Sequence, residues 1–415
     1  MAERSGLDGL AGASLGGVAT SLTVFLVATL AVQIRAGLHL SLNGLGLAVS
    51  VYYLAAAIAA VPGGRLAERF GGARAMRGAV IGAGLCQVLV AAAARSLWGL
   101  ALMLAAAGAL DATMQSAANL LLLRRVPAGR RGLAYGVKQA AVPFTSVLGG
   151  LAVPALALTV GWRWAFGGAV GLAALALAAI PRSRTTLAER RRARERQPDG
   201  GLAPLLVLAT GFGLSMLSIA ALTTFLVTSA VASGMGKAAA GLLVALAGGM
   251  AAGVRIGVGA GSDRIGAKSG RTAARHLRVV CGMLCLGAAG YVALAAGSAT
   301  RLWPLTVLGA VVTYGAGWGW NGLFNMAISV SHPAAPAKAS GIALTGNRLA
   351  GIAGPYLFAL LVTRTSYTVG WLVAAGAALA AGTVMLLGDR MLAARQARPF
   401  AAGQPQAPPG IQAAQ

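Results

Sequence analysis

Acidic side chains are scarce in this sequence, and so are histidine and cysteine. The 415 residues include 9 Asp and Glu, 3 His and 3 Cys, and 10% of the chain is charged. The cysteines have no spacing typical of a disulfide framework or a metal site. No Ser/His/Asp arrangement or phosphate-binding glycine loop is visible in the sequence. We therefore expect no enzymatic activity, no metal and no cofactor.

Long apolar runs are abundant instead. Hydrophobic residues make up 57% of the chain and the mean hydropathy is +0.75. Because an apolar helix of about 20 residues crosses a bilayer, we predict an all-α membrane protein with twelve transmembrane helices. The predicted spans are 13–35, 44–64, 78–95, 97–122, 132–156, 162–180, 203–230, 238–260, 277–298, 302–329, 340–362 and 367–387.

The positive charge follows the membrane topology. With these spans, 25 of the 34 Lys and Arg residues fall in alternate loops and termini or at the adjoining span ends, and six fall on the opposite side. Since cytoplasmic loops carry an excess of cations, we predict an inner-membrane protein with both termini in the cytoplasm. This pattern argues against nucleic-acid binding and favours contact with anionic lipids. The first span is too long for a cleavable signal peptide.

The chain contains an internal repeat. Residues 64–71 read GRLAERFG and residues 259–266 read GAGSDRIG, an offset of 195. The tetrapeptide TVGW at 159–162 recurs at 368–371, an offset of 209 that also aligns 127–132 with 336–341. Fixed-offset similarity indicates two copies of one structural unit. We therefore predict two six-helix bundles related by a pseudo-twofold repeat.

Composition sets the predicted domain boundaries. Residues 181–202 contain seven arginines and end in Pro-Asp-Gly-Gly, which is typical of a solvated linker. The Ala-, Gln- and Pro-rich C terminus is typical of disorder. We predict an N-terminal cytoplasmic tail at 1–12, bundles at 13–180 and 203–388, a basic cytoplasmic linker at 181–202, and a disordered cytoplasmic tail at 389–415.

The arrangement resembles the major facilitator superfamily of secondary transporters across almost the whole chain. The most specific resemblance is to the family's loop signature G-x-L-A-D-R-x-G between the second and third spans. The first copy here has Glu in place of Asp, and the second keeps the acid. The resemblance implies two bundles that rock about a central cavity. We predict that both copies act as conformational latches; their residues are Gly64, Glu68, Arg69, Gly71, Gly259, Asp263, Arg264 and Gly266.

Asp111 is the one acid placed inside a predicted span. An ionisable group at that depth is costly unless it is paired or faces water. The family often has an Arg near this position, in an R-x-x-Q-G pattern, and the usual role of that Arg is not transferable to Asp111. We predict Asp111 as the proton-coupling group, with a structural ion pair as the alternative.

Three intramembrane cations and several polar or aromatic residues fall in the same central slab as Asp111. Since three cations face one acid, the surplus charge favours an anionic substrate. Packing is the alternative role for the aromatic residues, helix–helix bonding for the amides, and a structural role for Arg255. The predicted substrate-binding residues are Gln115, Asn119, Lys138, Gln139, Arg255, Trp320, Asn321, Phe324, Asn325, Asn347 and Arg348.

These features predict a monomeric secondary active transporter of a small organic anion, coupled to protons, in contact with the lipid bilayer. A drug or metabolite efflux antiporter of the same superfamily is one alternative. Pro143 and the Gly-Gly pair at 149–150 give a partial match to the antiporters' Gly- and Pro-rich motif. A membrane sensor or scaffold that does not transport is the alternative from another class.

Overall fold

The described part of the chain is almost wholly helical and contains no strands. The computed structural model describes residues 2–125, 131–181, 202–266, 272–331 and 336–401. The predicted linker therefore lies almost wholly outside the described residues. The helices are α1 (Ala2–Thr29), α2 (Ala31–Leu38), α3 (Leu42–Phe70), α4 (Gly72–Ala93), α5 (Leu97–Arg125), α6 (Arg131–Ala152), α7 (Trp162–Ala179), α8 (Leu202–Ala232), α9 (Lys237–Gly266), α10 (Thr272–Thr300), α11 (Trp303–Val312), α12 (Asn321–Ser331), α13 (Pro336–Arg364) and α14 (Tyr367–Ala401).

These helices confirm the predicted all-α membrane fold. Among the described residues, ten helices are long and apolar enough to cross a membrane. The two remaining predicted spans are α13 and a rod made of α11, a π-helical turn at Thr313–Gly317, and α12. Helices α1 and α2 together form the first rod. The chain thus crosses the membrane as a series of apolar rods, and it is a multi-pass membrane protein.

Two rods contain π-helical turns that the apolar pattern did not predict. The first, Val153–Ala157, follows α6 and contains Pro154. Because proline has no backbone N–H, it removes one α-helical hydrogen bond, and the ladder can widen at that point. The second, Thr313–Gly317, contains two glycines. Glycine lowers helix propensity, so this stretch departs from α geometry more readily than its neighbours.

Both terminal helices are longer than predicted. Helix α1 begins at Ala2, so most of the predicted tail at 1–12 is helical. Helix α14 continues to Ala401, well past the predicted bundle boundary at 388. Residues 389–401 are therefore helical rather than part of a disordered tail. Helices continue past the apolar run because backbone hydrogen bonding does not require apolar side chains. Residues 402–415 lie outside the described residues.

The helices divide into two groups, one from each half of the chain. In the first half α1 packs on α4, α5, α6 and α7, and in the second half α8 packs on α13 and α14. We call the end of the molecule with the α3–α4 turn the linker end, because α7 finishes there beside Gly12 of α1. The opposite end, where Gly37 contacts Trp162, is the far end.

The two groups of helices meet along two glycine-lined seams. In the first seam a Cβ on Gly46 of α3 would lie 2.7 Å from the Pro355 oxygen of α13. In the second, a Cβ on Gly241 of α9 would lie 2.7 Å from the Gly150 oxygen of α6. Small residues allow such close approach of backbones within a bilayer. Both contacts lie toward the far end, so the bundles touch closely there.

The seam between α6 and α9 gives a matched test. A Cβ on Gly248 would lie 2.8 Å from the Pro143 oxygen, whereas a Cβ on the adjacent Gly249 meets nothing within 4 Å. We expect Gly248→Ala to cost about 1–3 kcal/mol through overpacking. Gly249→Ala should leave stability unchanged or slightly raised, since alanine favours helix. The measurement is the thermal unfolding midpoint in detergent; equal midpoints for both variants would contradict the seam.

Candidate functional site

Asp111 lies in the middle of α5 and is held by neutral donors from three helices. Its Oδ1 accepts hydrogen bonds from Thr20 Oγ1 at 2.7 Å and Ser21 Oγ at 2.8 Å, both on α1. The amide of Gln115, one turn along α5, approaches the same oxygen at 3.5 Å. The Tyr52 hydroxyl of α3 is within hydrogen-bonding reach of this carboxylate. The acid is therefore well satisfied without a direct ion pair.

Lys138 reaches the same region from α6. Its side chain is buried, with 5% of its surface exposed. The ammonium donates to Asn119 Oδ1 at 2.8 Å. It also interacts electrostatically with Asp111, but its hydrogen bond is to the neutral amide. The structure thus brings Lys138 and Asn119 together, two turns along α5 from the acid.

Arg348 approaches the site from the second bundle. Its Nη1 donates to the Ala56 backbone oxygen of α3 at 3.0 Å, and its charge interacts with Asp111. The neighbouring Asn347 is exposed. It lies one turn from Gly351, whose Cβ position is 2.8 Å from the Tyr53 ring of α3. Because positions i and i+4 share a helix face, Asn347 lies on the side of α13 that meets the first bundle.

Arg255 of α9 forms a structural bridge between the bundles. Its Nη1 donates to the Gln139 backbone oxygen at 2.6 Å and its Nη2 to the Trp318 oxygen at 3.1 Å. The guanidinium carbon lies 4.7 Å from the centre of the Trp318 ring, a cation–π contact. On its other side Trp318 stacks on Phe25 of α1, with centroids 6.1 Å apart. Gln139 therefore contributes a backbone oxygen here.

The aromatic residues predicted for the tenth span lie in packed interior. Trp320 and Phe324 are fully buried and surround Phe212 of α8, at centroid distances of 5.4 and 4.8 Å. Asn321 donates to the Trp318 oxygen at 3.2 Å. The Asn325 side chain lies outside what the structure describes. Packing thus accounts for the environment of these two rings, whereas Trp318, just before them in the chain, contacts Phe25 of the first bundle.

The predicted latches are described in part. Gly71 joins α3 to α4 with φ 89°, a left-handed conformation that favours glycine. Glu68 and Gly64 face away from neighbouring helices: the acid is exposed, and a Cβ on Gly64 meets nothing within 4 Å. Arg69 lies 5.5 Å from the Phe70 ring centre. Gly259, Asp263, Arg264 and Gly266 have helical backbone, but their side chains lie outside the described part.

Access to the central site differs between the two ends. Toward the far end, the cavity between Phe25, Tyr53 and Thr224 has a volume of about 10 Å³, which is roughly enough for one water molecule. A cleft of about 410 Å³ that includes Arg35 lies further out. Toward the linker end, Asn119 and Asn347 are both exposed. The site is therefore closed toward the far end, and the two amides beside its cations are exposed toward the linker end.

Several residues of this site escaped the sequence analysis. Thr20 and Ser21 form the hydrogen bonds to the acid, and Tyr52, Tyr53 and Phe25 line the adjacent interface. An adjacent Thr-Ser pair and a Tyr-Tyr pair inside apolar spans are visible signals, since polar groups in a bilayer need partners. Their partner was not visible, because pairing between spans depends on how the helices pack.

Two sequence comparisons bear on these observations. The sequence profile described as Major Facilitator Superfamily matches residues 13–277. That range includes Asp111, Lys138 and Arg255, the first loop signature and its second copy. No curated protein matches the chain.

The bridge made by Arg255 gives a second test. A lysine has one compact ammonium, so Arg255→Lys should lose one of the two carbonyl bonds and the stacked geometry on Trp318. We expect a loss of about 1–3 kcal/mol from the unpaired buried groups. The thermal unfolding midpoint measures it, with exposed Arg301→Lys as the control. The bridge would be unimportant if both variants unfolded at the native midpoint.

Proposed function

Because the chain belongs to the Major Facilitator Superfamily, we propose that it carries a small organic anion across the membrane by alternating access. Members of this superfamily are secondary transporters rather than enzymes. The anion and the coupling to protons are our inference from the site. The distribution of Lys and Arg favours a linker end in the cytoplasm, which would place both termini there, in the inner membrane.

The surplus of positive charge that exists when Lys138 is protonated is the observation that carries the anion proposal. Lys138 bonds a neutral amide and Arg348 bonds a backbone oxygen, while Asp111 is satisfied by neutral donors. Buried cations are costly without an anionic partner. A carboxylate between α6 and α13 would neutralise this surplus. Arg255 differs, since two carbonyls and a ring already hold it, and we assign it a positioning role.

Two exposed amide side chains lie beside these cations. Asn119 and Asn347 are accessible from the linker end, each beside one of the two cations. We propose that both line the binding cavity together with Gln115. Rocking of the bundles about the glycine seams would close this side and open the far side, with the loop signatures as latches between the two states. Asp111 would take part in the coupling of substrate occupancy to protonation.

Ligand-induced stabilisation tests the anion proposal. Binding to the folded state raises the thermal unfolding midpoint, and we expect benzoate, succinate or lactate to raise it more than lipophilic cations or neutral drugs do. Lys138→Gln should weaken carboxylate binding by about 2–5 kcal/mol, because a buried charge partner is removed. Lys237→Gln, at an exposed position, is the control. Stabilisation by cationic drugs alone would support the efflux alternative instead. Equal losses of carboxylate affinity in the two variants would show that Lys138 does not bind the substrate.

Proteoliposomes test the link to protons. Asp111→Asn keeps the side-chain shape but removes the acid, so accumulation driven by a pH gradient should fall at least about tenfold, a change of roughly 1.4 kcal/mol. Radiolabelled uptake of the most stabilising of the three carboxylates measures it. Thr223→Val, at another polar position between the bundles, is the control. Native accumulation in Asp111→Asn would show that this acid has no part in coupling.

A further inference from the structure

The Asp111 carboxylate accepts several hydrogen bonds. Oδ1 accepts from two hydroxyls within 2.8 Å and from an amide at 3.5 Å, and Tyr52 reaches the same carboxylate. Hydrogen bonds donated to a carboxylate stabilise its charged state. Each of these neighbours can donate to a carboxylate, so the arrangement suits Asp111 as a hydrogen-bond acceptor.

The hydrogen bonding of Lys138 is different, because both the ammonium and the neutral amine can donate to the same acceptor. A charged ammonium has three donors, and among the described residues its one hydrogen bond is to Asn119 Oδ1. A neutral amine retains two N–H groups and can keep that same bond. The side chain is 5% exposed, and burial without a direct counter-ion disfavours charge. Loss of a proton from Lys138 therefore breaks no hydrogen bond.

The other ionisable groups nearby are poorer proton carriers. Guanidinium groups stay protonated in proteins, and a free phenol gives up its proton only at about pH 10. Helix α1 contributes hydroxyls only. The charged and titratable groups that interact with Asp111 are Lys138 from α6, Arg348 from α13, and Tyr52 and Tyr53 from α3. Arg255 from α9 binds the backbone of Gln139, the neighbour of Lys138, and Tyr314 from the second π-helical turn interacts with Tyr53.

We propose that Lys138 carries the coupled proton, while Asp111 stays ionised and acts as its counter-charge. The proposal rests on the anion-transport function above. A proton first adds to the neutral Nζ of Lys138, and the resulting ammonium binds the carboxylate. After the bundles rock, the carboxylate leaves, and the proton leaves Nζ to water on the same side. One proton and one anion thus move together, so the transporter is a symporter.

The charge of the site supports this assignment. With neutral Lys138, the negative Asp111 and the positive Arg348 cancel when the site is empty. When it is loaded, the added proton and the added carboxylate also cancel. A proton carried on Asp111 would instead leave one additional positive charge on these three groups in both forms. Since charge within the bilayer is costly, Lys138 as carrier gives the lower-energy forms for rocking.

Proton uptake on binding gives the decisive experiment. Purified protein in weakly buffered detergent receives the most stabilising of benzoate, succinate and lactate, and an indicator dye reports pH change. By proton linkage the native protein should take up about one proton per carboxylate bound at mildly alkaline pH. Lys138→Arg keeps a cation that does not release its proton, so binding should persist, up to about tenfold weaker, with no uptake. Lys237→Arg is the control and should behave as the native protein.

The Asp111→Asn variant is the second test in the proton-uptake experiment. Uptake should persist in this variant but require lower pH, because the ammonium has lost its negative neighbour. The reverse pattern, with uptake lost in Asp111→Asn and retained in Lys138→Arg, would assign the proton to Asp111 and overturn the proposal. Absence of uptake in the native protein at every pH would also overturn it. Failure of all three carboxylates to bind would instead reject the anion-transport function.

In proteoliposomes the same substitution separates exchange from accumulation. Lys138→Arg should still exchange labelled for unlabelled carboxylate, at a reduced rate, since exchange needs no proton release. It should lose accumulation driven by a pH gradient. If accumulation in Lys138→Arg fell only by the same factor as its exchange rate, Lys138 would not be the group that carries the proton.

Discussion

Charge in a low-dielectric interior is the constraint on which the rest of this structure depends. Three cations and one acid lie within the spans, and in the bilayer each must find partners from other helices. Asp111 takes hydroxyl donors from α1, Lys138 an amide oxygen from α5, and Arg348 a backbone oxygen from α3. These bonds position five helices around one polar centre.

Close helix contact makes that centre possible. The glycine seams bring α3 against α13 and α6 against α9, so side chains from opposite bundles meet at Trp318, Arg255 and Phe25. Closer contact toward the far end leaves Asn119 and Asn347 exposed toward the linker end. The same seams that hold the bundles together can serve as the surfaces on which they move, because small residues present little to interlock.

Much of the fold could be predicted from the sequence, because membrane insertion depends on local composition. Apolar length predicted the spans, and the repeat predicted the two bundles. The helix interruptions were missed where proline or glycine acts inside an apolar run, as at Pro154. The limits of the terminal helices were missed as well. Backbone hydrogen bonds can extend a helix beyond the bilayer into water, and hydropathy does not predict where such an extension ends.

The sequence by itself determined which chemistry is present: one intramembrane acid, three cations and polar residues at helical spacing. Because Asp111, Gln115 and Asn119 are spaced four residues apart, the sequence also places them on one helix face. Only the tertiary structure decided the partners. Whether Lys138 bonds the acid or an amide, and whether Trp320 lines a cavity or fills a core, depends on how helices distant in sequence approach one another. Helix periodicity fixes the direction of a side chain relative to its own axis, whereas packing between helices fixes what that side chain meets.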